Sequence, residues 1–134
     1  MQYRTIVRYS GIYDLLVTAV YALPWTAVAN LEMIGELHER WGMSGNFEMP
    51  GNTGLFFINL MGAIVTIWSV LRIKHPLPLL GLYDGIARFS FSAIFSYYLL
   101  AQGLTSLIWF FLIPELIWGV VQVYGYVRLE RRGL

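Results

Sequence analysis

No charged side chain interrupts residues 49–71, which read MPGNTGLFFINLMGAIVTIWSVL. A helix needs about 20 mainly apolar residues to cross the hydrocarbon core of a bilayer, and this stretch is long enough. Backbone polar groups must be paired within the segment when lipid surrounds it, which favours a helix over extended chain. The stretch therefore predicts a transmembrane helix, and the rest of the sequence is interpreted around it.

The composition of the whole chain agrees with a lipid environment. Of its 134 residues, 57% are hydrophobic and 13% are charged, whereas a soluble domain has about 45–50% apolar and about 25% charged residues. The net charge of +1 gives no basic field that would attract nucleic acid. The absence of cysteine from the sequence excludes disulfides, thiolate metal sites and thiol catalysis.

Four stretches are apolar enough for transmembrane helices, and they cover residues 7–31, 53–71, 77–100 and 105–127. The last two are separated, because one span between Arg88 and Glu115 would leave apolar residues 116–127 in water. The amphipathic segment 30–41 is expected to lie in the outer interface. The sequence therefore predicts an all-α membrane protein with a single transmembrane domain, residues 1–134. It consists of four transmembrane helices in an antiparallel bundle and a short outer interfacial helix.

Positive charge predicts the orientation of this bundle. Only Arg40 falls in a loop on one side of the membrane. The cations that flank helix ends on the other side are Arg4, Arg8, Arg72, Lys74, Arg128, Arg131 and Arg132. An excess of Lys and Arg marks the cytoplasmic side, so both termini are predicted to be cytoplasmic. A cleavable signal peptide is the alternative for the first helix. Asp14 interrupts its apolar core, and we expect the helix to be retained.

A short motif occurs at the start of the first and the third predicted helices. Gly11-Ile12-Tyr13-Asp14 matches Gly81-Leu82-Tyr83-Asp84. Both helices run outward in the four-span arrangement. The match therefore predicts two parallel two-helix repeats about an axis along the membrane normal.

Each predicted span carries one stripe of small and polar residues at helical spacing. A polar group that faces lipid is left unpaired at a cost of several kcal/mol, so the stripes are expected to face one another. They form a buried polar seam, and the Gly81-xxx-Gly85 spacing permits close helix approach. Its candidate residues for a polar or ligand-pocket site are Asp14, Asn59, Asp84, Arg88, Glu115 and Gln122.

Two interpretations of the charged candidates remain open at this point. Asp84 and Arg88 are spaced to pair on one helix, and Arg88 reaches Asp14 if the first and third helices are neighbours. Glu115 follows Pro114 and has no evident partner. These groups either form a structural ion network that fixes helix order or line a pocket or a proton path.

Other chemistry finds little support in the sequence. The acidic segment that contains Glu32, Glu36, His38 and Glu39 is interpreted as a solvated face rather than a metal site. Haem held between two histidines is disfavoured, because neither His38 nor His75 lies within a predicted span. No nucleotide-binding loop, zinc-protease motif or serine elbow is present. No cofactor and no metal are therefore predicted.

The architecture resembles the DoxX-like superfamily of small bacterial inner-membrane proteins. The resemblance rests on four short helices, on Arg8 and Gly11 near the start of the first helix, and on a glycine-containing second helix. It implies a multi-pass four-helix bundle in the bacterial inner (plasma) membrane. Some members are associated with quinone-linked or oxidative-stress systems. The resemblance transfers no catalytic residue to this chain.

Three functional hypotheses follow. The first is a non-catalytic membrane protein whose polar seam binds a small amphiphile, such as a lipid-like or quinone-like molecule, or docks a larger membrane complex. The second is a small membrane enzyme acting on a lipid, quinone or terpenoid, with Asp14, Asp84 or Glu115 as acid or base. The third is a proton-coupled small transporter, expected to be a homo-oligomer because four helices enclose little room. Whether the protein is an enzyme is left open by the sequence.

Overall fold

The computed structural model describes residues 2–133, and these residues are almost entirely helical. The α-helices are α1 (Tyr3–Thr18), α2 (Pro24–Arg40), α3 (Asn52–Lys74), α4 (Pro78–Leu100) and α5 (Trp109–Arg131). Short 3-10 turns follow α1 at Ala19–Ala22 and precede α5 at Ser106–Ile108. The prediction of an all-helical chain is confirmed.

Two helices are long and apolar enough by themselves to cross a membrane: α3, and α5 together with the turn before it. Their outward side chains are large and apolar. On α3, Phe57, Ile64 and Ile67 are all more than half exposed. Such a surface suits lipid, since a soluble monomer rarely exposes a continuous apolar face of this size. Neither α1 nor α2 is long and apolar enough to cross a membrane by itself, but the two helices together would form one bent span.

The predicted continuous helix over residues 7–31 is wrong, because the chain bends by 105° between the turn that ends at Ala22 and the start of α2. Leu23 has extended backbone angles and Pro24 begins α2. A residue before proline is driven out of the helical region by the proline ring, and proline itself suits the first position of a new helix. The predicted interfacial segment 30–41 is accordingly the second half of α2 rather than a separate helix.

Two side chains satisfy the backbone groups that this break frees. The Thr26 hydroxyl donates to the Val20 carbonyl at 2.5 Å, and the Asn59 amide donates to the Tyr21 carbonyl at 2.9 Å. Carbonyls left unpaired in an apolar environment are costly. These two hydrogen bonds therefore stabilise the bend at its present position.

The four long segments are α1 with the turn after it, α3, α4, and α5 with the turn before it. They associate as two close pairs, α1 with α3 and α4 with α5. Glycines allow the close approach. A Cβ on Gly11 would lie 2.9 Å from the Ser69 carbonyl oxygen, and one on Gly85 would lie 2.7 Å from a Val123 methyl group. The pairs meet where Gly81 of α4 contacts Tyr3 of α1. This packing brings the N-terminal halves of α1 and α4 side by side, so the two Gly-x-Tyr-Asp motifs lie on neighbouring helices.

The two connecting loops at the far end of the bundle are joined to each other. The Asn46 N–H donates to the Gly103 carbonyl, and the Thr105 N–H donates to the Asn46 carbonyl, both at 2.8 Å. His38 Nδ1 lies 2.7 Å from the Thr105 hydroxyl and adds a side-chain link. These contacts hold the end of α2 against the start of the α5 segment.

Candidate functional site

Five ionisable side chains meet in the interior, and we call this group the ion cluster. Each of α1, α3, α4 and α5 supplies at least one member. The cluster consists of Asp14, Arg72, Asp84, Arg88 and Glu115. Its position at the meeting point of four helices makes it the most polar part of the bundle interior.

Arg72 reaches into the cluster from the last turn of α3 and is fully buried. Its Nη1 donates to the Ser10 hydroxyl at 2.7 Å and to Asp84 Oδ2 at 2.8 Å, and its Nη2 donates to Asp14 Oδ2. The planar guanidinium suits this role, because its fork of N–H donors can bridge carboxylates from different helices. Arg72 thus connects α3 to both α1 and α4.

Arg88 occupies the opposite side of the same two carboxylates. Its Nη2 donates to Asp14 Oδ2 at 2.8 Å and its Nε donates to Asp84 Oδ2 at 2.9 Å. The same Nε also lies 2.9 Å from Gln122 Oε1, and Nη1 donates to Glu115 Oε1 at 3.2 Å. All three guanidinium nitrogens of Arg88 are therefore bonded.

The two motif aspartates receive equivalent partners. Asp14 and Asp84 each accept hydrogen bonds from both arginines through one oxygen, so four ion pairs form a closed ring. The second oxygen of Asp84 accepts the Trp68 indole N–H at 2.7 Å. The repeated motif therefore places two carboxylates on the two neighbouring helices where a pair of guanidinium groups can bridge them.

Neutral groups complete the hydrogen bonding around the ring. Gln122 is fully buried and donates from Nε2 to the Ser10 hydroxyl at 3.1 Å. That hydroxyl in turn donates to the Val7 carbonyl at 2.7 Å. The Tyr3 hydroxyl donates to the Gln122 carbonyl at 2.7 Å. Buried charges are tolerated where such partners are present, because desolvation is then offset by several charge-assisted hydrogen bonds.

Glu115 lies at the edge of the cluster and is its least buried member. Its side chain is 17% exposed, against 11% for Asp14 and 5% or less for the others. One oxygen accepts from Arg88, and the other, Oε2, is buried without a hydrogen-bond partner among residues 2–133. Glu115 therefore combines a buried oxygen with spare capacity to accept a hydrogen bond.

Aromatic rings cover two sides of the cluster. The Arg72 guanidinium lies 5.7 Å from the centre of the Trp68 ring, and that of Arg88 lies 5.8 Å from the Trp118 ring. Tyr13 packs against Trp118 with a centroid separation of 5.9 Å. Rings within about 6 Å of a guanidinium attract it through their quadrupole and exclude water.

The structure brings together five of the six candidate residues that the sequence indicated. Asp14, Asp84, Arg88, Glu115 and Gln122 all belong to the cluster or bond to it. Glu115 has a partner after all, since Arg88 reaches it.

The sixth candidate, Asn59, lies elsewhere. It supports the α1–α2 break through the Tyr21 carbonyl. The prediction that Asn59 belongs to one shared seam with the charged residues is therefore corrected.

The sequence analysis placed Arg72 at a helix end, and it does lie in the last turn of α3, but its burial in the cluster was missed. It is the most completely buried ion of the cluster. The sequence held no clear signal for this, because only the structure shows that the face of α3 with Ser69 and Arg72 packs against Gly11. Ser10 was also missed, because a single serine in a helix gives no sequence signal that separates a buried hydrogen-bonding role from any other.

Two surface depressions lie away from the cluster. One, of about 390 Å³, is lined by α2 residues Glu32, Glu36 and His38 together with Phe47 and Met49. The other, of about 310 Å³, lies along the end of α5 at Tyr124 and Arg128. Neither is lined by a member of the ion cluster. Within the described range 2–133, no group of three or more His, Cys, Asp or Glu side chains is arranged to hold a metal ion.

Comparison of the chain with protein-family models, with curated proteins and with solved structures finds no match.

Proposed function

We propose that this chain is a non-catalytic, multi-pass membrane protein that docks onto a larger membrane complex. In this proposal its four long segments cross the bilayer as an antiparallel bundle, and the ion cluster fixes their order. The observation that carries the proposal is the closed state of the cluster. Asp14 and Asp84 are each bridged by both arginines, and neither of the two depressions described above is lined by a cluster residue.

Helix α4 is not among the helices that are apolar enough by themselves to cross a membrane, and its contacts explain why. Its polar residues Asp84, Arg88 and Ser92 are buried against the other helices. Its outward residues Ile86 and Ile94 are about half exposed and apolar. The average composition of α4 thus understates how apolar its outer surface is, which supports a fourth crossing.

The contacts along the helices support alternating directions. Gly11 in the middle of α1 meets Ser69 near the end of α3, whereas Gly62 earlier in α3 meets Tyr21 after the end of α1. Gly85 of α4 likewise meets residues late in α5. These contacts are those expected of two antiparallel pairs.

The proposed orientation places both chain ends and the α3–α4 connection in the cytoplasm. Arg72 is buried and no longer counts as a flanking charge, but the excess of Lys and Arg on the proposed cytoplasmic side remains. Several cations still flank the helix ends on that side, whereas the other side has only Arg40. A bacterial inner membrane follows only from the DoxX-like resemblance, which stays a prediction.

The geometry favours docking over the other hypotheses. A general acid or base must come within hydrogen-bond reach of a substrate, and small-molecule sites are clefts of about 300 Å³ or more. The carboxylates Asp14 and Asp84 are instead bonded to arginines on both sides. A closed ring of this kind supports a structural role for the cluster and leaves the outer helix faces as the functional surface.

The test is cross-linking in the native membranes of the producing cells, followed by size analysis after mild solubilisation. We expect the chain to be recovered in an assembly that contains other membrane proteins, with the same partners in repeated preparations. Recovery of the chain alone, at the size of its own monomer or homo-oligomer, would contradict the docking function.

A further inference from the structure

We propose that the edge between α1 and α5 at Glu115 binds a transmembrane helix of a partner protein, and that this helix carries a lysine or arginine near its middle. This inference rests on the docking function proposed above and names its surface and the chemistry of its partner. It is argued from an unused acceptor, from the charge balance of the cluster and from the shape of the surface.

The unused acceptor that is buried is Glu115 Oε2. It has no partner among residues 2–133, although the atom itself is almost inaccessible. Its sister oxygen has only one contact, the 3.2 Å hydrogen bond from Arg88, which is the longest ion pair in the cluster. A buried acceptor without a donor is costly in an apolar environment. A donor that arrives from outside the bundle would remove this cost.

The charge balance indicates what kind of donor fits. The cluster combines three carboxylates, from Asp14, Asp84 and Glu115, with two guanidinium groups, from Arg72 and Arg88. The formal sum is one negative charge in excess. A single lysine or arginine side chain at the open edge would balance it and would make a charge-assisted hydrogen bond to Oε2. Ionisable groups within a membrane generally pair with one another for this reason.

The shape of the edge favours a helix over a small molecule. The Glu115 side chain is only 17% exposed, and neither described depression reaches it. The outward faces of both helices are apolar, with Leu16 of α1 at 79% and Ile117 of α5 at 57% exposure. A partner helix can lie on such a surface and extend one long side chain inward. The Tyr13–Trp118 pair lies where it would cover the stem of that side chain.

A second copy of this chain does not supply the required cation. Arg72 and Arg88 are already engaged in the cluster. The remaining cations lie at or near helix ends or in the α3–α4 connection rather than in the middle of a helix: Arg4, Arg8, Arg40, Lys74, Arg128, Arg131 and Arg132. The partner is therefore a different protein.

The test uses synthetic transmembrane peptides made of leucine, with one central lysine, glutamine or leucine. Each peptide carries a fluorescent acceptor, and binding to the labelled full-length chain is measured by energy transfer in phosphatidylcholine vesicles. We expect the lysine peptide to bind about tenfold or more tightly than the leucine peptide, as one charge-assisted hydrogen bond allows. Glu115→Gln should abolish this preference. Glu130→Gln, which changes an exposed carboxylate outside the cluster, should retain it.

Each other outcome has a defined meaning. Equal binding of the lysine and leucine peptides, or a preference that survives in a Glu115→Gln chain of normal helicity and stability, would overturn the inference. Glutamine binding as tightly as lysine would overturn the requirement for a cation. Cross-linked assemblies in native membranes that persist with Glu115→Gln would refute this surface while leaving the docking function intact. Absence of any assembly with the unaltered chain would refute the docking function itself.

Discussion

Replacement of Arg72 by glutamine should destabilise the bundle more than any change to a charge outside the cluster. The substitution removes hydrogen bonds to Ser10, Asp84 and Asp14 from a fully buried position. It also leaves three carboxylates facing the single guanidinium of Arg88. Breaking a buried ion pair by removing one partner costs about 3–5 kcal/mol. We expect a loss of this size in the free energy of unfolding of Arg72→Gln.

The assay is reversible unfolding in mixed micelles of a mild detergent and sodium dodecyl sulfate, followed by tryptophan fluorescence. Arg128→Gln is the matched control, since Arg128 lies on the outer part of α5 beside a surface depression and should change the free energy by about 0.5 kcal/mol or less. Arg72→Lys should fall between the two, because lysine keeps the charge but loses the planar fork. A loss below about 1 kcal/mol for Arg72→Gln, or one equal to that of the control, would refute the structural role of the cluster.

Two further predictions concern the break after α1 and can be measured in the same unfolding assay. Gly62→Ala should destabilise by about 1–3 kcal/mol, because a Cβ there would collide with the backbone of Tyr21 and Ala22. Gly51→Ala is the control and should not destabilise the protein in this way, because the added Cβ meets nothing within 4 Å. Equal losses for the two variants would contradict the close contact between Gly62 and the backbone of Tyr21. Asn59→Leu should cost about 1–3 kcal/mol by leaving the Tyr21 carbonyl unpaired. Full stability of this variant would show that the break does not depend on Asn59.

The helical class and the main site were accessible from sequence because they depend on spacing. The polar residues Asp84, Arg88 and Gln122 recur at helical intervals among apolar ones, and lipid forces such stripes inward whatever the details of packing. The expectation that Arg88 reaches Asp14 if the first and third predicted helices are neighbours is confirmed. Periodicity therefore identified which faces meet.

Two features were not accessible, for different physical reasons. The side chain of Arg72 is long enough to reach the interior from a helix end, so its position in the sequence did not reveal its destination. The break at Leu23 leaves backbone carbonyls before Pro24 without helical partners, and it is stable only if other donors bond to them. One of these donors is Asn59, which lies on another helix and could not be assigned from the local sequence. The same local sequence is also compatible with one continuous transmembrane helix that is kinked at Pro24.

The central claim is that four crossings surround an inward-facing ion cluster, and the natural lack of cysteine in the sequence allows a direct test. Single cysteines would replace Ser44, His75, Gln102 and Arg132, and a membrane-impermeant thiol reagent would be added to sealed vesicles of known orientation. The account predicts that positions 75 and 132 react from the cytoplasmic side and that positions 44 and 102 react only from the other. Reaction of positions 75 and 102 from the same side would mean that α4 does not cross the membrane and would contradict the account.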